Sequence, residues 1–131
     1  MIINKTLLDN LTQKAKASPK LRMHFDLRDS LSDGSQRMLN AIEPGSVVPI
    51  HRHRHSSEIM VCLRGKLVVE YFDELERICQ DTYILEPNSN TVALSIPIGQ
   101  WHSVRAIESG TCILEMKNGA YEPISEGDIL R

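Results

Sequence analysis

The sequence predicts a mainly β fold, a small antiparallel barrel or sandwich preceded by one N-terminal α-helix. From Arg37 onward, short apolar runs alternate with turn signals at roughly ten-residue spacing. Nothing in that region has the helix-length periodicity of a parallel βαβ fold. Only the segment before Ser18-Pro19 shows a one-sided apolar stripe of helical period, formed by Leu7, Leu8, Leu11 and Ala15.

Thr6 is the expected helix cap, with Asp9 three residues on, close to a capping box. Lys14 and Lys16 favour the negative end of the helix dipole, and Ser18-Pro19 ends the helix. The polar stretch Lys20 to Gln36 reads as a long ordered loop or a short edge element. The strand candidates are Met38–Ile42, Val47–His53, Ile59–Leu63, Leu67–Phe72, Ile78–Leu85, Val92–Ile96, His102–Ile107 and Cys112–Met116. Between them lie turn signals such as Pro44-Gly45, Gly65, Pro97-Ile98-Gly99 and Asn118-Gly119. The tail from Tyr121 to Arg131 is polar and carries no clear signal. The division expected is residues 1–36 as a helix and extended segment packing on a barrel of residues 37–131, one domain overall.

Composition narrows the function classes. The 131 residues carry a net charge of −2, without the basic footprint of a nucleic-acid binder. Aromatics are 5% of the chain, too few for a base-stacking platform. No apolar run approaches the ~20 residues needed to cross a bilayer. The opening residues lack the layout of a secretory signal. Three widely spaced cysteines without a CxxC fit a reducing compartment. The expectation is a cytoplasmic protein that binds neither nucleic acid nor membrane, and that forms a homodimer to cover an apolar sheet face.

The informative cluster is His51-Arg52-His53-Arg54-His55. On a strand, His51 and His53 share a face, so two imidazoles can meet one metal ion. Glu58 can start the next antiparallel strand and face back toward them. His102, after the turn Pro97-Ile98-Gly99, is the candidate fourth ligand, with Pro expected at the second turn position and Gly at the fourth. Three imidazoles and a carboxylate suit one divalent transition metal such as Zn, Fe, Ni or Mn. His-x-His alone also suits a solvated strand edge, and it is the surrounding spacing that favours ligands.

The spacing Gly45, five residues, His51, one, His53, four, Glu58, six, Gly65 resembles the first cupin motif. Pro97, Gly99 and His102 match part of the second, whereas Thr91 and Ala106 stand where that motif often has Gly and Asn. The helix ending Ala17-Ser18-Pro19, the run Gln36–Gly45, Pro49–Arg54 and Leu114–Tyr121 are similar to WbuC-type cupin-fold metalloproteins, over most of residues 1–122. That resemblance implies a small cupin jelly-roll barrel with a metal on His51, His53, Glu58 and His102. It also implies chemistry on a sugar or nucleotide sugar in surface-polysaccharide biosynthesis.

Glu115 and Lys117 share one face of the last strand, and are acid–base candidates if that face points inward and solvated charges if it does not. Arg37, Asn40 and Trp101 are candidate contacts for a small-molecule ligand. His55 is expected at the mouth or in solvent, Cys62 in the core, Arg52 on a solvated face, and His24 away from any metal. Three functions remain open: a metal-dependent isomerase, epimerase or hydrolase, or with iron an oxygenase; a sensing or carrier module without turnover; and a metal-free barrel.

Overall fold

The computed structural model describes residues 1–75 and 77–130; Arg131, at the end of the expected barrel segment and tail, lies outside them. One helix, α1 (Lys5–Ala17), precedes ten strands: β1 (Arg22–Asp26), β2 (Ser35–Ile42), β3 (Ile50–His51), β4 (Glu58–Arg64), β5 (Leu67–Phe72), β6 (Cys79–Leu85), β7 (Ala93–Ile96), β8 (His102–Ala106), β9 (Thr111–Asn118) and β10 (Ile129–Leu130). They form two antiparallel five-stranded sheets, β1-β2-β9-β4-β7 and β10-β3-β8-β5-β6.

Four of the pairings are nested: β2 with β9, β3 with β8, β4 with β7, and β5 with β6. A hairpin folded over on itself gives that nesting, which is the jelly-roll arrangement of a small cupin. Residues of opposite parity on β2 and β9 face opposite ways. Ile42 and Ile113 join Met60, Leu67, Val69, Leu85 and Ile96 between the sheets. Leu39, Ala41 and Cys112 face outward and are covered by Leu8, Leu11 and Ala15 of α1. The first sheet is therefore buried on both sides where β2 and β9 run.

One local expectation changes, and two segments left open by the sequence take definite form. The cap of α1 is Asn4, whose side chain accepts from the Leu7 amide at 3.0 Å; Thr6 lies within the helix. An asparagine with extended backbone can cap as well as a threonine, and here it lies in register with the apolar stripe. The polar stretch after α1 contains β1, an edge strand paired over its whole length with β2. Its half-exposed edge position accounts for the polar composition. The tail supplies β10, which adds to β3 and is anchored by Asp128. That carboxylate accepts from Arg52 Nε at 2.8 Å and Arg54 Nη2 at 2.7 Å.

Candidate metal centre

β3 and β8 place His51 directly opposite His102. Two residues beyond His51, His53 turns to the same side, and its carbonyl accepts from the Gly99 amide at 2.9 Å. The turn before His102 closes from the Gln100 amide to the Pro97 carbonyl, and Gly99 has φ +78°. Pro97 is thus the first turn residue and Gly99 the third, the position that requires left-handed backbone. The turn therefore starts one residue later than one with Pro97 second and Gly99 fourth.

The three imidazoles bring ligand nitrogens within 4.8 Å of one another. Ring centroids are 4.4 Å apart for His51–His102 and 5.1 Å for His51–His53. The Nδ1–H of His51 donates to the Pro49 carbonyl and that of His102 to the Gln100 carbonyl, each at 2.8 Å. Each bond fixes a tautomer with a free lone pair on Nε2, the form a metal-binding histidine needs. Glu58, at the start of β4 and 4% exposed, lies to one side of this trio. Its oxygens are 3.4 Å from His53 Nε2 and 3.7 Å from His102 Nε2.

Among the described residues, three buried side-chain polar atoms lack a hydrogen-bond partner: His102 Nε2, Glu58 Oε1 and Asn40 Oδ1. Two of them face each other inside the histidine cluster. A buried orphan is costly, so a pair of complementary ligand atoms left open together is the signature of a site built for something else. The donor set, imidazole nitrogens beside a carboxylate, fits a divalent transition metal.

Electrostatics agree with ligand-ready protonation states. Burial, with the neighbouring imidazoles and Lys117, pushes His51 and His53 down to about 4, so both rings are neutral at pH 7. Burial pushes the Glu58 carboxyl up, but His102, His53 and Lys117 outweigh it and hold the carboxyl below its ordinary range. Lys117 Nζ lies 3.6 Å from Glu58 and 3.4 Å from His53 Nδ1. Lys117 is the cross-strand partner of Glu58.

His51, His53, Glu58 and Lys117 line a cavity of about 270 Å3 together with Arg22, Arg37, Asn40, Val48, Met60, Glu115 and Ile129, and His102 lies buried behind them. Glu115 and Lys117 share the inward parity of Ile113. Burial in the barrel, reinforced by the charge of Glu58, pushes the Glu115 carboxyl up to about 8, against the pull of Lys117 and Asn40. The Asn40 amide sits 3.5 Å from Glu115. Arg37 reaches the cavity wall but is held by Asp33 at 2.8 Å and Asp29 at 3.5 Å.

Trp101, expected at the ligand, is 4% exposed and lies outside the cavity, beneath the Arg52 guanidinium at 4.6 Å. Arg52, expected in solvent, is clamped between Trp101 and Asp128. His55 and His24 are exposed, and Cys62 is in the core. Arg22 was not singled out from the sequence, because one basic residue in a polar stretch gives no signal.

Residues 3–84, well over half of the chain, match a family described as "Domain of unknown function (DUF6016)". The chain belongs to the DUF6016 family. No curated protein matches this DUF6016 chain in sequence. Its fold is shared with KdgF from a Halomonas species, at 16% identity and TM-score 0.61, over 79% of this chain and 84% of that one. A cupin 2 domain-containing protein from Halorhodospira halophila aligns at 15% identity and TM-score 0.62, over 79% and 68%. Recombinant oxalate oxidase in complex with glycolate aligns at 17% identity and TM-score 0.65, over 84% of this chain but 57% of the oxidase. The DUF6016 chain therefore has the cupin fold. Among its described residues, no helix is long and apolar enough to cross a membrane.

Proposed function

We propose that this chain binds one divalent transition metal through His51, His53, Glu58 and His102, and acts on a polar small molecule held in the cavity above it. The observation that carries the reading is the pair of buried, unpartnered ligand atoms, His102 Nε2 and Glu58 Oε1, beside two further imidazoles of fixed or free lone pair. A metal bound there would polarise a carbonyl or hydroxyl oxygen of the ligand, or lower the pKa of a bound water.

The chain's own groups supply the rest. Lys117 keeps the Glu58 carboxylate ionised. Glu115 holds a proton at neutral pH inside an apolar barrel, as a general acid requires. Asn40 orients it. That set supports proton transfer, as in isomerisation or epimerisation, and argues for an enzyme over a passive carrier. The similarity to WbuC-type cupins supports ligands of the sugar or nucleotide-sugar class in surface-polysaccharide biosynthesis. Three free cysteines support a reducing cytoplasm. We take the working form to be a homodimer, which light scattering tests directly.

The decisive experiment is elemental analysis of tag-free protein purified without chelator, beside a His51→Ala/His53→Ala variant. Wild type should carry about one equivalent and the variant should bind at least about 100-fold more weakly. Metal-free wild type that takes up no added Zn, Fe, Ni, Mn or Co overturns the reading.

A further inference from the structure

Among the described residues, the cavity lining contains five charged residues other than histidine: Arg22, Arg37, Glu58, Glu115 and Lys117. Most have their charge matched. Arg37 is paired with Asp33 and Asp29, and Lys117 with Glu58. Glu115 is kept neutral by its burial. Arg22 differs. It stands at the start of edge strand β1 and forms no ion pair among the described residues. Its Nη1 donates to neutral acceptors only, the Val47 carbonyl at 3.0 Å and Ser46 Oγ at 3.3 Å.

Those two bonds aim the side chain. Ser46 is itself buried and donates to the Lys20 carbonyl at 2.7 Å, so the acceptor is fixed. Val47 begins the segment that continues through Val48 and Pro49, both in the cavity wall, to His51. The guanidinium is thus pinned on the wall of the cavity that His51 and His53 line, with Nε and Nη2 making no hydrogen bond within the described chain. A half-buried cation with two N–H groups in a planar fork and no anion is a site for a two-oxygen anion.

The volume limits what is enclosed. About 270 Å3 has room for roughly nine waters at ~30 Å3 each, and so for a small polar ligand or one end of a larger one. We propose that Arg22 selects an acid: the enclosed part of the ligand is a small carboxylate whose neighbouring hydroxyl or carbonyl oxygen faces the histidine cluster. This rests on the metal reading and narrows it, favouring a hydroxy- or oxo-acid, sugar acids included, over a neutral sugar. A single fork is the reason to prefer a carboxylate to a phosphate, whose larger charge calls for several donors.

The test uses glycerate, its neutral counterpart glyceramide, and glycerol phosphate as probes. Each is titrated by calorimetry into cobalt-loaded full-length protein while the cobalt absorption bands are followed. Wild type should bind glycerate, with shifted bands, and bind glyceramide about tenfold to a hundredfold more weakly. Arg22→Gln should lose that preference, keep its cobalt bands, and bind glyceramide as wild type does. Arg22→Lys should recover part of the glycerate affinity, since it keeps the charge without the fork.

Equal binding of glycerate and glyceramide, or an unchanged preference in Arg22→Gln, overturns the assignment of an acid to Arg22. Tighter binding of glycerol phosphate than glycerate overturns the carboxylate. Absent cobalt bands in wild type overturn the metal reading instead, and calorimetry on the metal-free protein still decides whether Arg22 distinguishes the acid from the amide.

Discussion

Gly65→Ala should destabilise the protein by about 2–5 kcal/mol, combining a left-handed backbone penalty of about 1–2 with overpacking of about 1–3 kcal/mol. Gly65 has φ +82°, and an added Cβ would lie 2.7 Å from the Thr111 Cα and 2.9 Å from its Cβ. Thr111 is fully buried, and its hydroxyl accepts from the Lys66 amide and donates to the Glu108 carbonyl, so it has no room to retreat. Gly119→Ala is the control, because it shares a positive φ of +95° but would meet nothing within 4 Å. Urea unfolding should separate the two by more than about 1 kcal/mol. Equal midpoints would mean that β9 shifts freely and that Gly65 serves backbone conformation alone.

The metal-free protein should be most stable near pH 6.5 and weaken on either side. His51 and His53 are held near 4 in the fold, well below the ordinary value of 6.5. Between those values the unfolded chain binds more protons, so both groups make stability rise with pH. Glu115 acts in the opposite sense. Its folded value of about 8 exceeds the ordinary 4.5, so its contribution is complete below pH 4.5 and is lost as pH rises through 8. From pH 4.5 to 6.5 two rising contributions oppose one falling; above 6.5 the fall from Glu115 remains. One group gives at most about 1.4 kcal/mol per pH unit. Chemical denaturation of chelator-treated protein measures this curve, and Glu115→Gln should flatten its alkaline limb. An alkaline limb that stays steep in that variant would place the Glu115 carboxyl in a far more polar setting than its barrel position implies.

The elements legible in sequence were those with strong short-range signals. Leu67–Phe72 coincides with β5, because dense β-branched and aromatic residues end at clear turns. The β1 stretch was legible only as a loop or a short edge element, and β10 not at all, since each is a short edge strand whose order comes from pairing with a distant partner. The histidines could be grouped because their spacing is periodic. Their alignment across β3 and β8 required a pairing between residues 51 apart, which no local pattern reveals. The inward turn of Glu115 and Lys117 was undecidable from β9 alone. It follows from Cys112 and Leu114 being taken by α1, a contact between distant parts of the chain. Arg52 was assigned to solvent by parity, which is correct for direction but does not foresee that Asp128 would arrive to meet it.

The nested pairing also sets an order of events during synthesis. β9 lies between β2 and β4 and joins them, so the first sheet has no centre until residue 118 has been made. β2 must wait along one edge, and β3 and β4 along both, for strands that are translated later. A growing chain would therefore expose its clustered histidines and apolar strands together for most of its elongation. Protection then falls to whatever holds nascent chains, and ion capture becomes an event that follows barrel closure rather than guiding it.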